Sequence, residues 1–432
     1  MESRMCAALE SRDDRQIRRR LPLLSTAVDF NSNDYLSLST SSILRDLFLK
    51  KLQRAPHILG SGGSRLLVNP APHDALERRL TAFFAVESAL LFNSGYDANV
   101  GFFSCVPDRG DCVVIDEFIH ASVHDGLKAS RVQNIVHFKH NCLVSFTEAL
   151  LQARRTGGSV FVAVESLYSM DGTLSPLDQM INIMHSLFPE GNAHLIVDEA
   201  HAVGIYGPDG RGRVAELGLQ DHVLATLCTF GKALGCSGGN SIDSFDCPSS
   251  RSTSSPIDYA SCPRLSSKLC AAIDLHNFPQ LYFCHCCRLC FRSPGRRHCC
   301  QGSIARFLVL SSDPAKQLSE SLLSLTRYFV ELLAASIDSG EIPASILSLS
   351  SRSTKSAIVP LHTPYAHALS AHLLKHHNIL SKPITYPTVP KGKDRVRVCL
   401  HAGNKLQDVE RFVQAVREWI SIQQHEHMLS KL

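Results

Sequence analysis

The sequence predicts an α/β fold organised around a mostly parallel sheet, and three observations carry that prediction. Contiguous apolar runs recur at 112–115 (CVVI), 160–164 (VFVAV) and 195–197 (LIV), as strands buried on both faces require. Between them the text turns polar and then helical, which is the alternation that builds parallel sheets. Chemistry-bearing residues, Asp198 and His201, follow the third run, where open α/β sheets place their ligands.

The bulk composition fits this. The chain has 432 residues, 44% hydrophobic and 19% charged, which is an ordinary globular balance with room for two or three domains. A net charge of +4 is small for this length and speaks against a nucleic-acid partner; the basic run at 15–20 (RQIRRR) reads as a solvated helix face. The N-terminal segment carries charges throughout, so neither a secretory signal nor a membrane anchor is expected. The chain ends Ser430, Lys431, Leu432, the form of a peroxisomal address read by an import receptor; without import the expected location is cytoplasmic. With no secretory route, the sixteen cysteines are expected as free thiols.

Taken in order, residues 29–39 (DFNSNDYLSLS) suit an Asx turn opening a helix. Residues 60–65 (GSGGSR) give a loop with glycine freedom, and from His73 the spacing of Leu76, Leu80, Phe83 and Phe84 gives an amphipathic helix. Residues 89–101 cross from strand to helix, with Ser94 and Gly95 where backbone N–H groups at a helix start can hold a phosphate. A capped βα turn accounts for the same residues, and the two readings are compatible. Strands are expected at 111–116 and 160–165, the first leading to His120 and the second to a polar turn with Ser169. Thirty-four residues after Asp198 comes Lys232, close to Thr229, Gly231 and Gly235. A lysine confined in a glycine-rich turn suits an amine nucleophile that forms a Schiff base, and an acidic residue such as Asp198 suits a pyridinium nitrogen. Helical periodicity returns at 318–333, and 355–361 (KSAIVPL) reads as a strand of a smaller domain.

The text at 195–212 (LIVDEAHAVGIYGPDGRG) and 227–239 (LCTFGKALGCSGG) resembles the hallmark of the α-oxoamine synthases, and the segments at 29–39, 60–84 and 384–404 resemble further motifs of that family. The resemblance implies a fold-type I pyridoxal 5'-phosphate (PLP) transferase with a large, mostly parallel sheet domain and a smaller α+β C-terminal domain. The expected divisions are an N-terminal arm at 1–45, a PLP-binding domain at 46–300 and a small domain at 301–432. It also implies site roles. Lys232, His120 and Asp198 are expected to be catalytic. Gly95, Tyr96, His120, Ser169, Asp198, His201, Thr229 and Lys232 are expected around PLP, with Glu165 shaping the site. Asn33, Thr388 and Arg397 are expected at the substrates, Arg397 by pairing with a carboxylate. No metal is expected. The implied partners are an amino acid, alanine by closest resemblance, an acyl-CoA, pimeloyl-CoA by closest resemblance, and a second copy in a homodimer. The implied product is 8-amino-7-oxononanoate for biotin synthesis. A 5-aminolevulinate-forming, glycine-using or serine-using member of the family, or an inactive pseudoenzyme subunit, stays open.

Residues 240–300 break the pattern. They are Ser- and Cys-rich, and ten of the sixteen cysteines lie between Cys236 and Cys300. A zinc site is one reading of CHCCRLC (284–290) and HCC (298–300), but the spacings make no clean pair of CxxC elements. A shifted reading frame explains more. KLCAAIDLHN (268–277), moved forward by one nucleotide, permits Asn-Tyr-Ala-Arg-Pro-Leu-Ile-Tyr-Thr, the text that the family resemblance expects next.

Overall fold

The computed structural model describes residues 1–15, 18, 26–55, 71–236, 238–243, 313–349, 352 and 355–429. The GSGGSR loop, the cysteine-rich text of the zinc and frame readings, and Ser430, Lys431 and Leu432 lie outside these residues.

In chain order the described helices are α1 (Glu2–Asp14), α2 (Ser42–Arg54), α3 (Ala71–Phe84), α4 (Gly95–Cys105), α5 (Ala121–Ala129), α6 (Leu143–Arg154), α7 (Leu177–Leu187), α8 (Arg213–Glu216), α9 (Asp313–Asp338), α10 (Ala366–His377) and α11 (Leu406–Leu429). The strands are β1 (Val28–Asp29), β2 (Ser88–Phe92), β3 (Cys112–Asp116), β4 (Asn134–Phe138), β5 (Val160–Glu165), β6 (Ala193–Asp198), β7 (Ala225–Thr229), β8 (Gly239–Asp243), β9 (Ser348–Leu349), β10 (Ile358–His362), β11 (Ile379–Leu380), β12 (Lys382–Ile384) and β13 (Arg395–Cys399). Contacts divide the chain into two compact units: a sheet unit of Asn33–Ser169 and Thr173–Leu322, and a C-terminal unit of Met1–Ser32, Met170–Gly172 and Leu323–Leu432.

The sheet unit holds seven strands in the order β2-β8-β7-β6-β5-β3-β4. Neighbours from β7 to β4 run parallel, and β8 runs antiparallel to both β2 and β7. The apolar runs form the middle of this sheet because successive side chains of a strand point to opposite faces and both faces are covered. Val114, Val162, Val164, Leu195 and Val197 pack on one side with Phe146 and Leu150 of α6 and Met180, Ile181 and Met184 of α7. Val113, Ile115, Phe161, Ala163 and Ile196 pack on the other with Phe102 and Phe103 of α4 and Val123 and Leu127 of α5. This sandwich fixes the carboxyl ends of β3, β5, β6 and β7, from which the site is built.

One boundary needs correction. Residues 240–243, placed by the sequence reading in the aberrant stretch, form β8 and belong to the sheet. Asn240 lies between Leu91 and Cys228 in the ladder, and Asn240 and Ser241 are buried. The text GNSID has no apolar alternation, so its strand character comes from pairing on both edges rather than from its own residues.

The C-terminal unit contains the antiparallel sheet β12-β13-β10-β9. Phe412 of α11 packs between Phe30 and Phe329, with ring centroids 5.0 and 5.3 Å away. The N-terminal strand β1 joins this unit by parallel pairing with β11, and the His401 ring is hydrogen-bonded to the carbonyls of Asp29 and Ser32 at 2.9 and 3.1 Å. The contact division in the N-terminal arm therefore falls at Ser32 rather than at residue 45, and the later one falls within α9 rather than at residue 300. No helix among the described residues is long and apolar enough to cross a membrane.

Candidate active site

Asp198 is the last residue of β6 and is 8% exposed. Its Oδ2 accepts from Asn99 Nδ2 at 2.7 Å and its Oδ1 from the Ala200 N–H at 2.8 Å, so the carboxylate is fixed in orientation. Asn99 comes from α4 and is itself buried. No feature of local periodicity marks it, because its partner is ninety-nine residues away.

Lys232 sits in the turn after β7, anchored on either side by buried Phe230, Ala233 and Leu234. The turn closes through Gly235 N–H to the Lys232 carbonyl at 2.7 Å and Cys236 N–H to the Phe230 carbonyl at 2.6 Å. Gly235 has φ +56°, a left-handed conformation that glycine adopts without penalty. The Lys232 amine lies 2.8 Å from His201 Nε2, and His201 Nδ1 lies 2.7 Å from the Tyr35 hydroxyl. His201 and Tyr35 are both buried, while Lys232 is partly exposed.

His120 caps the N-terminus of α5 through Ser122, and its ring meets that of Tyr96 edge to face at 5.8 Å. Burial lowers its pKa; Asp198 acts in the opposite direction and Lys232 adds to the lowering. That the charges of Asp198 and Lys232 both bear on His120 places the three in one electrostatic neighbourhood. Glu165, next to Asp198 in the β5–β6 ladder, belongs to it as well. Burial first, then repulsion from Asp198, pushes the Glu165 carboxyl well above the usual carboxylate range, opposed by Lys232 and by a hydrogen bond from the Ser169 backbone.

The start of α4 supplies the anion-binding end. Ser94 caps it by accepting from the Asp97 N–H at 3.0 Å. Gly95 lies so close to β7 that a Cβ there would stand 2.8 Å from Thr229 Cβ. Thr229 Oγ1 accepts from the Gly231 N–H at 3.3 Å, tying the helix start to the turn that carries Lys232. Tyr96 donates to Asp125, a bond that raises the phenol's pKa and lowers that of the carboxyl.

Two supporting networks were not visible as such in the sequence. Asp116 accepts from the Phe118 and Asn141 N–H groups at 2.8 and 3.1 Å and pairs with His140 Nδ1 at 3.0 Å, while His140 Nε2 lies 2.7 Å from Thr173 Oγ1. This joins the turns after β3, β4 and β5, including the one that carries Ser169. Glu199 accepts from Ser166 Oγ, Arg213 N–H and Val214 N–H at 2.8, 3.1 and 2.7 Å. Gly212, φ +103°, passes so near that a Cβ would stand 2.8 Å from Glu199 Oε2, so the GRG turn needs its glycine.

The residues expected at the substrates divide. Asn33 Oδ1 accepts from the Tyr35 hydroxyl at 3.2 Å in the sheet unit. Thr388 and Arg397 belong to the C-terminal unit, Thr388 exposed and Arg397 buried in β13 opposite Pro360 and Lys382. Arg395, on the same face of β13, pairs with Asp171.

The sheet-unit residues fit PLP by their chemistry. Lys232 offers the amine and Asp198 a fixed carboxylate for a pyridinium. The α4 start offers N–H groups for a phosphate, and among the described residues the buried Asn99 Oδ1 and Glu165 Oε1 have no hydrogen-bond partner.

The sequence profile of the family Aminotransferase class I and II matches residues 25–242 and 299–416. The chain is 38% identical over 428 residues to 8-amino-7-oxononanoate synthase of Emericella nidulans, covering 96% of this chain and 94% of that one. It is 34% identical over 405 residues to the aminoacyl transferase sphA of Aspergillus fumigatus, covering 90% and 79%. Its fold resembles that of Sphingomonas wittichii serine palmitoyltransferase, with a TM-score of 0.77 at 21% identity over 96% of both chains. The matched family, these relatives and the Lys232–Asp198–His201 arrangement agree: the chain belongs to the α-oxoamine synthases, PLP-dependent acyltransferases within the aminotransferase class I and II family.

Proposed function

We propose that this chain condenses alanine with pimeloyl-CoA, with loss of CoA and carbon dioxide, to give 8-amino-7-oxononanoate for biotin synthesis. The observation that carries this reading is the 38% identity, along almost the whole chain, to a relative named for that product. When bound, PLP supplies a carbonyl for the amino group and a ring that accepts the electron pair left on the α-carbon.

The chain's own residues supply the rest. Asp198 would hold the proton of the pyridine nitrogen, with Asn99 and the Ala200 N–H fixing its oxygens. Lys232 Nζ, 2.8 Å from His201 Nε2, takes the proton from the α-carbon and returns one to the product. His120, kept neutral by burial, offers a flat face to the cofactor ring without adding positive charge. Ser169, Thr229, Gly95 and Tyr96 would hold the cofactor's oxygens. Asn33, Thr388 and Arg397 are assigned to the substrates, Arg397 because guanidinium geometry matches a carboxylate bidentately.

The reading includes a homodimer and import into the peroxisome through Ser430, Lys431 and Leu432. A serine-using reaction is the second reading, supported by the 34% identity to the aminoacyl transferase sphA. CoA release from alanine, glycine and serine against pimeloyl-, succinyl- and palmitoyl-CoA separates them. Alanine with pimeloyl-CoA should be the fastest pair; serine with palmitoyl-CoA as the fastest pair would reject the first reading.

A further inference from the structure

The last turn of α10 gathers three histidines to which the proposed reaction gives no part. The text HLLKHH at 372–377 sets His372 and His376 four residues apart, which places both on one stripe of the helix surface. Their ring centroids lie 4.9 Å apart, and the His377 ring lies 5.2 Å from that of His372. Ala366, Leu369, Ser370 and Leu373 make the buried face of α10, so His376 is exposed while His372 and His377 are half-buried. His377 Nε2 stands 3.3 Å from Glu418 Oε2 on α11. His372 Nε2 is buried and has no hydrogen-bond partner among the described residues, a state that calls for something to satisfy it.

We infer that His372 and His376 form a chelating site for a late first-row divalent metal ion, of the class of nickel, copper or zinc, beside the negative charge of Glu418. Imidazoles at i and i+4 of a helix can close on one ion from the same face, the spacing that metal-binding HExxH helices use. Imidazole nitrogen suits these ions, whereas magnesium and calcium take oxygen ligands. The metal-binding form of histidine is the neutral ring. Burial first, then the nearness of His377 and His376, lowers the pKa of His372 against the pull of Glu418, so that form prevails at neutral pH. The C-terminal turn of a helix also favours a cation, although the exposed Lys375 on the same turn opposes it. Among the described residues no group of three or more His, Cys, Asp or Glu side chains is already placed to hold a metal ion. Two imidazoles therefore carry the site, the exposed His376 ring turning to meet His372 Nε2, and water completes the coordination. All these residues belong to the C-terminal unit, and the site does not depend on the proposed reaction.

The test uses the full chain with its accessible thiols alkylated, because cysteine binds the same ions. Ni²⁺ should protect His372 and His376 from diethyl pyrocarbonate in a saturable way, read by peptide mass spectrometry, and Mg²⁺ should not. His376→Ala changes an exposed position and should lower the Ni²⁺ affinity read at His372 by at least about tenfold. Glu418→Gln should lower it by a smaller factor. Equal reactivity of His372 and His376 with and without Ni²⁺ overturns the inference. So does protection of His372 that is unchanged in a folded His376→Ala chain. If that variant fails to fold, His372→Ala, read by protection at His376, makes the same test: unchanged protection overturns the chelate, and lost protection supports it.

Discussion

Glu199 shows how a single side chain links the site to pH. It is fully buried, and burial raises its pKa from 4.5 to about 7 against the hydrogen bonds from Val214, Arg213 and Ser166 and the charge of Arg213. Because the folded-state pKa lies above the unfolded one, the protonated form favours the fold. That contribution is complete below pH 4.5 and is lost as pH rises through 7, amounting to about 3 kcal/mol for a shift of this size. The thermal midpoint of the unmodified chain should therefore fall between pH 5 and 8 more steeply than that of Glu199→Gln. Parallel curves would show that Glu199 titrates outside this window. The residue scale is also where sequence reading was most uneven. Lys232, Asp198 and His201 stood out through their glycine-rich and strand-end settings. Asn99 and Tyr35 did not, because their partners lie 99 and 166 residues away and hydrogen bonds of that span leave no local pattern.

Among elements, the start of α4 and the end of β7 illustrate how closely backbone must approach backbone to make an anion site. Gly95 has ordinary backbone angles, so its need for glycine is steric: a methyl group would press into the Thr229 side chain at 2.8 Å. Gly95→Ala should cost about 1–3 kcal/mol as the pair is forced apart. Because the displaced Thr229 carries the turn before Lys232, PLP affinity should fall by at least about tenfold, as read by titration of visible absorbance. Unchanged affinity would mean that the helix start lies away from the phosphate. The apolar strands β3, β5 and β6 were legible because burial on both faces writes itself as contiguous apolar text. Strands β8 and β1 were not, since GNSID and Val28–Asp29 gain their strand character from neighbours in the sheet.

For the whole molecule, the family profile breaks between residues 242 and 299, close to the limits of the text that a shifted frame explains. The first stretch of the profile match ends at residue 242, within β8, so residues 240–242 belong to the matched text. We infer that much of 244–298 is read out of frame. Resequencing the transcript should give a message in which that frame spells the Asn-Tyr-Ala-Arg-Pro text; a message confirming the present frame throughout would remove the inference. Restoring the frame should raise PLP binding and dimerisation, whereas the residues around Lys232, all drawn from segments before 240, are in place without it.

The central claim is that this chain holds PLP through Lys232 in a competent pocket. Incubation of the purified chain with PLP, borohydride reduction and peptide mass spectrometry tests it without relying on turnover. The reduced pyridoxyl group should be found on the peptide containing Lys232 and be lost in Lys232→Ala. Label spread over other lysines, or none on Lys232, would contradict the account.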